Sequence, residues 1–318
     1  MNFLKKAIII GIAPIFLSFS AIAEIKVVTT IKPIHSLVSG VMDGVSNPTL
    51  IIEGSNNPHN FSLKPSHAKM LEEADIVFWI GEDLESFMEK PLSSLAKDAV
   101  KISFMDLPSI KKLKFREKNI FDDHDDHGHD DHDGHEDEHE GHDDHHGHHH
   151  GEFDAHIWLD PSNAIEMVLE ISHELSEIDP DNAAKYEQNA DKMVASLKNL
   201  ISEVDSTISK DASFVVFHDA YQYFENRFGV SSAGALTLNP DVLPGAKQID
   251  AIQDLIQDDN IKCIFSEPQY NPKIIETLAA DMNISTGVMD PLGAFIDQGP
   301  EMYNQLILNI ANSLKDCS

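Results

Sequence analysis

Short apolar runs separated by amphipathic stretches recur along most of this chain. In the first half, Ile25–Thr30, Thr49–Ile52, Asp75–Ile80 and Val100–Phe104 read as strands, with helical stretches such as Ser66–Ala74 between them. In the second half, Ser213–Phe217, Ile261–Ser266 and Ile284–Met289 read as strands. Ala220–Phe228, Ala246–Gln257, Pro272–Asp281 and Glu301–Leu314 read as helices. Strands that alternate with helices imply parallel sheets covered on both faces, so the predicted class is α/β. A longer periodicity separates the halves. Tyr186, Ala190, Met193, Leu197, Leu200, Val204 and Ile208 recur at three- and four-residue spacing, behind a capping Asp179 and a first-turn Pro180. The reading is a stiff linker helix over residues 179–209, roughly 45 Å long at 1.5 Å per residue. It joins a lobe at residues 24–178 to a second lobe at residues 210–318.

The chain opens with Lys5 and Lys6, an apolar run from Ala7 to Phe19, and Ala21-Ile22-Ala23 before Glu24. That is the pattern of a cleaved secretory signal over residues 1–23, too short in its apolar core to span a bilayer. It predicts a soluble, exported protein. In an oxidising compartment the two cysteines, Cys263 and Cys317, favour a disulfide over free thiols.

Composition changes the picture at one place. Residues 122–152 consist of His, Asp, Glu and Gly alone and hold twelve of the eighteen histidines: His124, His127, His129, His132, His135, His139, His142, His145, His146, His148, His149 and His150. With almost no apolar surface to offset the entropy of ordering, the insert over residues 117–152 is expected to be disordered. Imidazoles backed by carboxylates bind borderline divalent metals, so the tract reads as an accessory set of weak metal sites. The formal charge of −31 argues against nucleic acid as a partner, which needs a basic footprint, and favours drawing cations toward the protein.

A tight site must come from ordered residues. His59 lies in the loop after Thr49–Ile52, His218 follows Ser213–Phe217, Asp290 follows Ile284–Met289, and His156 precedes Ile157-Trp-Leu-Asp-Pro. Open α/β sheets bind ligands beyond the carboxyl ends of their strands, so these four can converge in a cleft between the lobes. Three imidazoles and a carboxylate form a tetrahedral zinc set, with the fourth position going to Asp290 or to water. Each of the four also has an ordinary structural reading, as a satisfied core histidine or a turn-former before Pro291. His67 and His173 read as surface residues, and His35 as a spare candidate. Glu267 ends a strand on the same side, as a further candidate or one half of a structural ion pair.

The blocks Pro58-His-Asn-Phe-Ser-Leu-Lys-Pro-Ser, Ala155-His-Ile-Trp-Leu-Asp-Pro, Val216-Phe-His-Asp-Ala-Tyr, Phe265-Ser-Glu-Pro-Gln and Met289-Asp-Pro-Leu-Gly resemble the cluster A-I metal-binding proteins of ABC transporters, most closely the zinc-uptake periplasmic solute-binding members. The resemblance covers nearly all of the chain after the signal. It implies two (β/α)4-type lobes joined by one long rigid helix, His59, His156 and His218 as Zn2+ ligands, and a Cys263–Cys317 disulfide like that of some zinc-specific members. Some zinc members carry Glu before the first histidine where this chain has Pro58, and manganese-type relatives carry Glu in place of His218. A third imidazole favours Zn2+ over Mn2+. The expected function is non-enzymatic: a monomer that captures Zn2+ and hands it to an inner-membrane ABC permease driven by its ATPase. Rival readings are manganese uptake on the same fold, a secreted zinc hydrolase (disfavoured by the absence of an HExxH-type helix), and a metal-storage or adhesive protein whose main device is the tract.

Overall fold

The computed structural model describes residues 24–121, 151–240 and 242–317. The expected signal over residues 1–23 and all twelve histidines of the tract lie outside these.

The first lobe is built on four parallel strands, β1 (Val27–Thr29), β2 (Thr49–Leu50), β3 (Ile76–Trp79) and β4 (Val100–Ser103), in the order β2-β1-β3-β4. The second repeats the plan with β5 (Phe214–His218), β6 (Gly234–Thr237), β7 (Cys263–Ser266) and β8 (Ser285–Val288), in the order β6-β5-β7-β8. The α/β class and the two parallel lobes therefore hold. Nine α-helices are described: α1 (Lys32–Val41), α2 (Pro65–Glu72), α3 (Glu89–Ser94), α4 (Pro161–Ile178), α5 (Ala183–Thr207), α6 (Gln222–Phe228), α7 (Ala246–Asp258), α8 (Lys273–Met282) and α9 (Met302–Ser313). Among the described residues no helix is long and apolar enough to cross a membrane.

Strand β5 shows why its run is unbroken. Phe214 and Val216 face the large core shared by both lobes, while Val215 and Phe217 face a smaller core with Leu236, Ile252, Ile264 and Leu278. Successive side chains point to opposite faces, so a sheet covered on both sides needs apolar residues at every position. Strand β6 was not among the expected strands. Its Gly234-Ala-Leu-Thr sequence offers little side chain to a sheet, and pairing with β5 recruits it.

The long helix is shorter than expected and is not a free rod. A single 3-10 turn, Pro180–Asn182, precedes α5, which runs for 25 residues and packs along α4, α1 and α9. Its Asn189 donates to the carbonyls of Val41 and Asp43 at 2.9 and 2.8 Å, and its Ser196 accepts from Asn304 of α9 at 2.7 Å. Gly40 of α1 leaves room for the Met193 side chain of α5, which occupies the place a Cβ would take. The last helix thus returns from the second lobe to the first. The Cys263–Cys317 disulfide, with Cα atoms 5.5 Å apart, ties the end of the chain to β7.

Residues 117–121, expected within the disordered insert, are ordered. Asn119 and Phe121 pair with the β6 edge: Ala235 N–H donates to Asn119 O at 2.8 Å, and Phe121 N–H to Ala233 O at 2.9 Å. The strand edge is thereby covered, and Gly234 is the residue that lets Asn119 approach, since a Cβ there would lie 2.6 Å from its carbonyl oxygen.

Glu85, in the loop after β3, is fully buried, and its Oε2 accepts the N–H groups of Ile80 and Gly81 at 2.8 and 3.3 Å. Burial pushes this carboxyl up from 4.5 to about 7, against the pull of those hydrogen bonds. Between these two values the folded chain holds a proton that the unfolded chain releases, so stability falls as pH rises through the window. Glu85→Gln is expected to remove about 3 kcal/mol of pH-dependent stability, measured as the difference in urea unfolding between about pH 5 and about pH 8. An equal pH dependence in both proteins contradicts this.

Candidate metal centre

Three histidines meet where the two sheets face each other. His59 sits in a 3-10 turn, Pro58–Asn60, after β2, and its backbone N–H is capped by Asn57 Oδ1 at 3.0 Å. His156 precedes the buried turn Ile157–Leu159, and His218 is the last residue of β5. The three side chains each offer a ligand atom within 4.8 Å of the other two, and they are the one such group among the described residues. Ring centroids are 5.1 to 5.8 Å apart.

Carboxylates set the direction of two of the rings. Asp154 Oδ1 accepts from His156 Nδ1 at 2.7 Å and from its backbone N–H at 2.9 Å. Glu267 accepts from His218 Nδ1, with both oxygens at 2.8 Å. The register of β5 on β7, Val215 opposite Ile264, carries His218 opposite Glu267 one residue past β7. A ring nitrogen facing a carboxylate must be the donor, so each ring keeps its lone pair on Nε2. These two Nε2 atoms face one another at 3.3 Å. Two lone pairs at that distance call for a proton or a cation between them.

The charge balance points the same way. Burial lowers the basicity of His218, but Glu267, Asp219 and Asp154 outweigh it and hold the imidazole above its ordinary value. Asp219 is itself buried and is pushed up to about 7, despite Arg116 Nη1 at 2.8 Å. Arg116 also binds Glu225 at 2.6 Å and lies over the Phe121 ring, so the segment that covers β6 is anchored beside His218.

The histidines line a cavity of about 10 Å³ with Asn57, Pro58, Trp158, Glu267, Gln269, Pro291 and Leu292. That is the space of a single small sphere, enough for one ion and too little for an organic solute. Both lobes hold its walls together. Trp158 Nε1 donates to Pro291 O at 2.8 Å, and the buried Lys32 of α1 donates to the carbonyls of Gly293, Ala294 and Ile296 at 2.8, 2.9 and 3.0 Å.

Asp290 stands outside the triad. Its Oδ1 accepts from Gln269 Nε2 and from the N–H groups of Leu292 and Gly293 at 3.0 to 3.1 Å, and its Oδ2 from Ala294 N–H at 2.5 Å. His35 is buried apart from the triad, against Pro48 O at 3.2 Å and Ser39. His173 is exposed as expected, but His67 is not: it is 8% exposed, stacks on Phe61, and folds back to accept the Lys64 N–H at 3.2 Å. Position N3 of α2 lets it cap its own helix, which the polar surroundings in sequence conceal. Asp154 and Gln269 were missed as candidates, although Gln269 ends one of the motif blocks that pointed to the site and Asp154 directly precedes another.

The family model for the periplasmic zinc-uptake complex component A, ZnuA, matches residues 27–317. A high-affinity zinc uptake system protein ZnuA of Brucella abortus is 48% identical over 303 residues, covering 92% of this chain and 91% of that protein. One from Haemophilus ducreyi is 38% identical, covering 95% and 96%. A crystal structure of a ZnuA superposes with a TM-score of 0.72 at 22% identity, covering 92% of this chain and 99% of the other, so the fold is shared.

Glu267→Gln removes the negative charge behind His218. The His218 imidazole of the metal-free protein is expected to titrate at lower pH in this variant, read by NMR of the ring. An unchanged titration contradicts the assigned role of Glu267.

Proposed function

The chain belongs to the family of periplasmic zinc-uptake complex components, and on that footing we propose that it is the high-affinity zinc-binding component of an ABC transporter. It captures Zn2+ outside the inner membrane and delivers it to a permease. Residues 1–23 direct export, residues 24–178 and 210–318 form the lobes, and His59, His156 and His218 are the ligands. The observation that carries this reading is the convergence of three imidazoles on a cavity of about 10 Å³.

The chemistry favours zinc. Neutral imidazoles suit a borderline cation, and a manganese site would call for more carboxylate oxygen. Asp154 and Glu267 fix the ring orientations and raise the basicity of the ligands. The loaded protein docks on the permease, whose ATPase works from the opposite side of the membrane. Release requires only local shifts, since α5 and the Lys32 and Trp158 bonds across the lobes oppose a wide hinge motion. The histidine tract serves as a weak, multiple antechamber that raises the local Zn2+ concentration.

Calorimetric titration of the mature protein tests this. One tight Zn2+ site is expected to survive removal of residues 122–150 and to vanish in His59→Ala. Protons compete for the imidazoles, and His218 is already held above its ordinary value, so affinity is expected to fall steadily from about pH 8 to about pH 6. Loss of all tight binding with the tract, or tight binding that persists in His59→Ala, contradicts the reading.

A further inference from the structure

We propose that the fourth oxygen donor to the ion is the side-chain amide of Gln269, and that Asp290 is the residue that orients it. The inference rests on the zinc reading above and names what completes that site. Gln269 lines the cavity together with the three histidines. Its Nε2 donates to Asp290 Oδ1 at 3.0 Å. A carboxylate only accepts, so this contact settles which end of the amide faces Asp290. The other end, Oε1, is buried and has no hydrogen-bond partner among the described residues. A buried carbonyl oxygen left without a partner costs about 1–3 kcal/mol, and its position in the wall of a metal cavity supplies the missing partner.

Asp290 is the less suitable donor. Its Oδ1 already accepts three hydrogen bonds, and its Oδ2 takes the short bond from Ala294 N–H. It is also absent from the group of ligand atoms within 4.8 Å of one another, so to ligate an ion it would have to shift, and with it the turn over residues 290–294, whose carbonyls at Gly293 and Ala294 hold Lys32 of the other lobe. Pro291 and Leu292 of this turn also wall the cavity. A neutral amide oxygen also suits cargo that must leave. The two carboxylates behind His156 and His218 balance the charge of the ion, while the fourth bond stays weaker than one to a carboxylate.

The test uses the full chain with one equivalent of Co2+ or Zn2+, so that the tightest site fills first. Gln269→Leu is expected to change the visible ligand-field spectrum of bound Co2+ and to weaken Zn2+ binding about 10- to 100-fold in competition with a chromophoric chelator. Asp290→Asn sets an NH2 against donors that the carboxylate accepts, which loosens its hold on the amide, and is expected to change the spectrum in the same direction with a similar loss. The double variant is expected to be no weaker than either single one. Asp290→Asn keeps Gln269 in place, so a folding defect in Gln269→Leu does not remove the test. An unchanged Co2+ spectrum and affinity in Gln269→Leu overturn the proposal, as do losses in the two single variants that simply add. A silent Gln269→Leu beside a damaging His59→Ala removes this proposal alone. Tight binding that survives His59→Ala removes the zinc site itself.

Discussion

Everything at this site depends on two hydrogen bonds from imidazole to carboxylate, Asp154 to His156 and Glu267 to His218. Each takes up Nδ1 and leaves Nε2 as the lone-pair atom, and the two Nε2 atoms then point at each other across 3.3 Å. Without the carboxylates the rings could rotate or change tautomer, and the cavity would have no fixed polarity. Neither carboxylate is placed by a loop alone. Glu267 follows from the pairing of β5 with β7, and the His156 turn is pinned by Trp158 bonded to Pro291 O and Tyr303 bonded to Trp158 O, at 2.8 and 2.6 Å. The donor set is thus an outcome of sheet register and core packing in both lobes, so its geometry is prepared before an ion arrives.

The same interactions tie the two lobes together. The large core runs continuously from β1 through α1, α4 and α5 to β5 and α9. Ser36 of α1 accepts the Tyr303 N–H at 3.0 Å and donates to Gly299 O at 2.7 Å, and Lys32 grips the turn after β8. Opening the lobes as rigid bodies would break buried hydrogen bonds and expose apolar surface together. Moving one turn beside the cavity costs much less, as the proposed release by local shifts requires.

Much of this was legible in the sequence, and the limits have definite causes. Buried parallel strands announce themselves as apolar runs, so the positions of His59, His218 and Glu267 relative to strand ends could be read directly. Strand β6 could not, because Gly234 and Ala235 contribute too little side chain to make a pattern. Asp290 followed a strand as expected, but Asp-Pro-Leu-Gly also encodes a turn in which the carboxylate binds its own backbone, and that local competitor holds it here. Gln269 carries no periodic signal at all. Its role depends on an amide direction that only a three-dimensional neighbour can set. Residues 117–121 looked like the start of a polar insert, whereas Ile120 and Phe121 supply the apolar contacts that seat them along β6.

The acidic charge of the chain, −31 overall, adds long-range attraction for cations to the compact site proposed at the histidines. The central claim is that this site is the histidine triad. Anomalous diffraction at the zinc edge, from crystals grown with one equivalent of Zn2+, tests it most directly. The account predicts one peak within bonding distance of His59, His156 and His218, in the cavity they line. A zinc peak elsewhere, with the triad cavity empty, would contradict it.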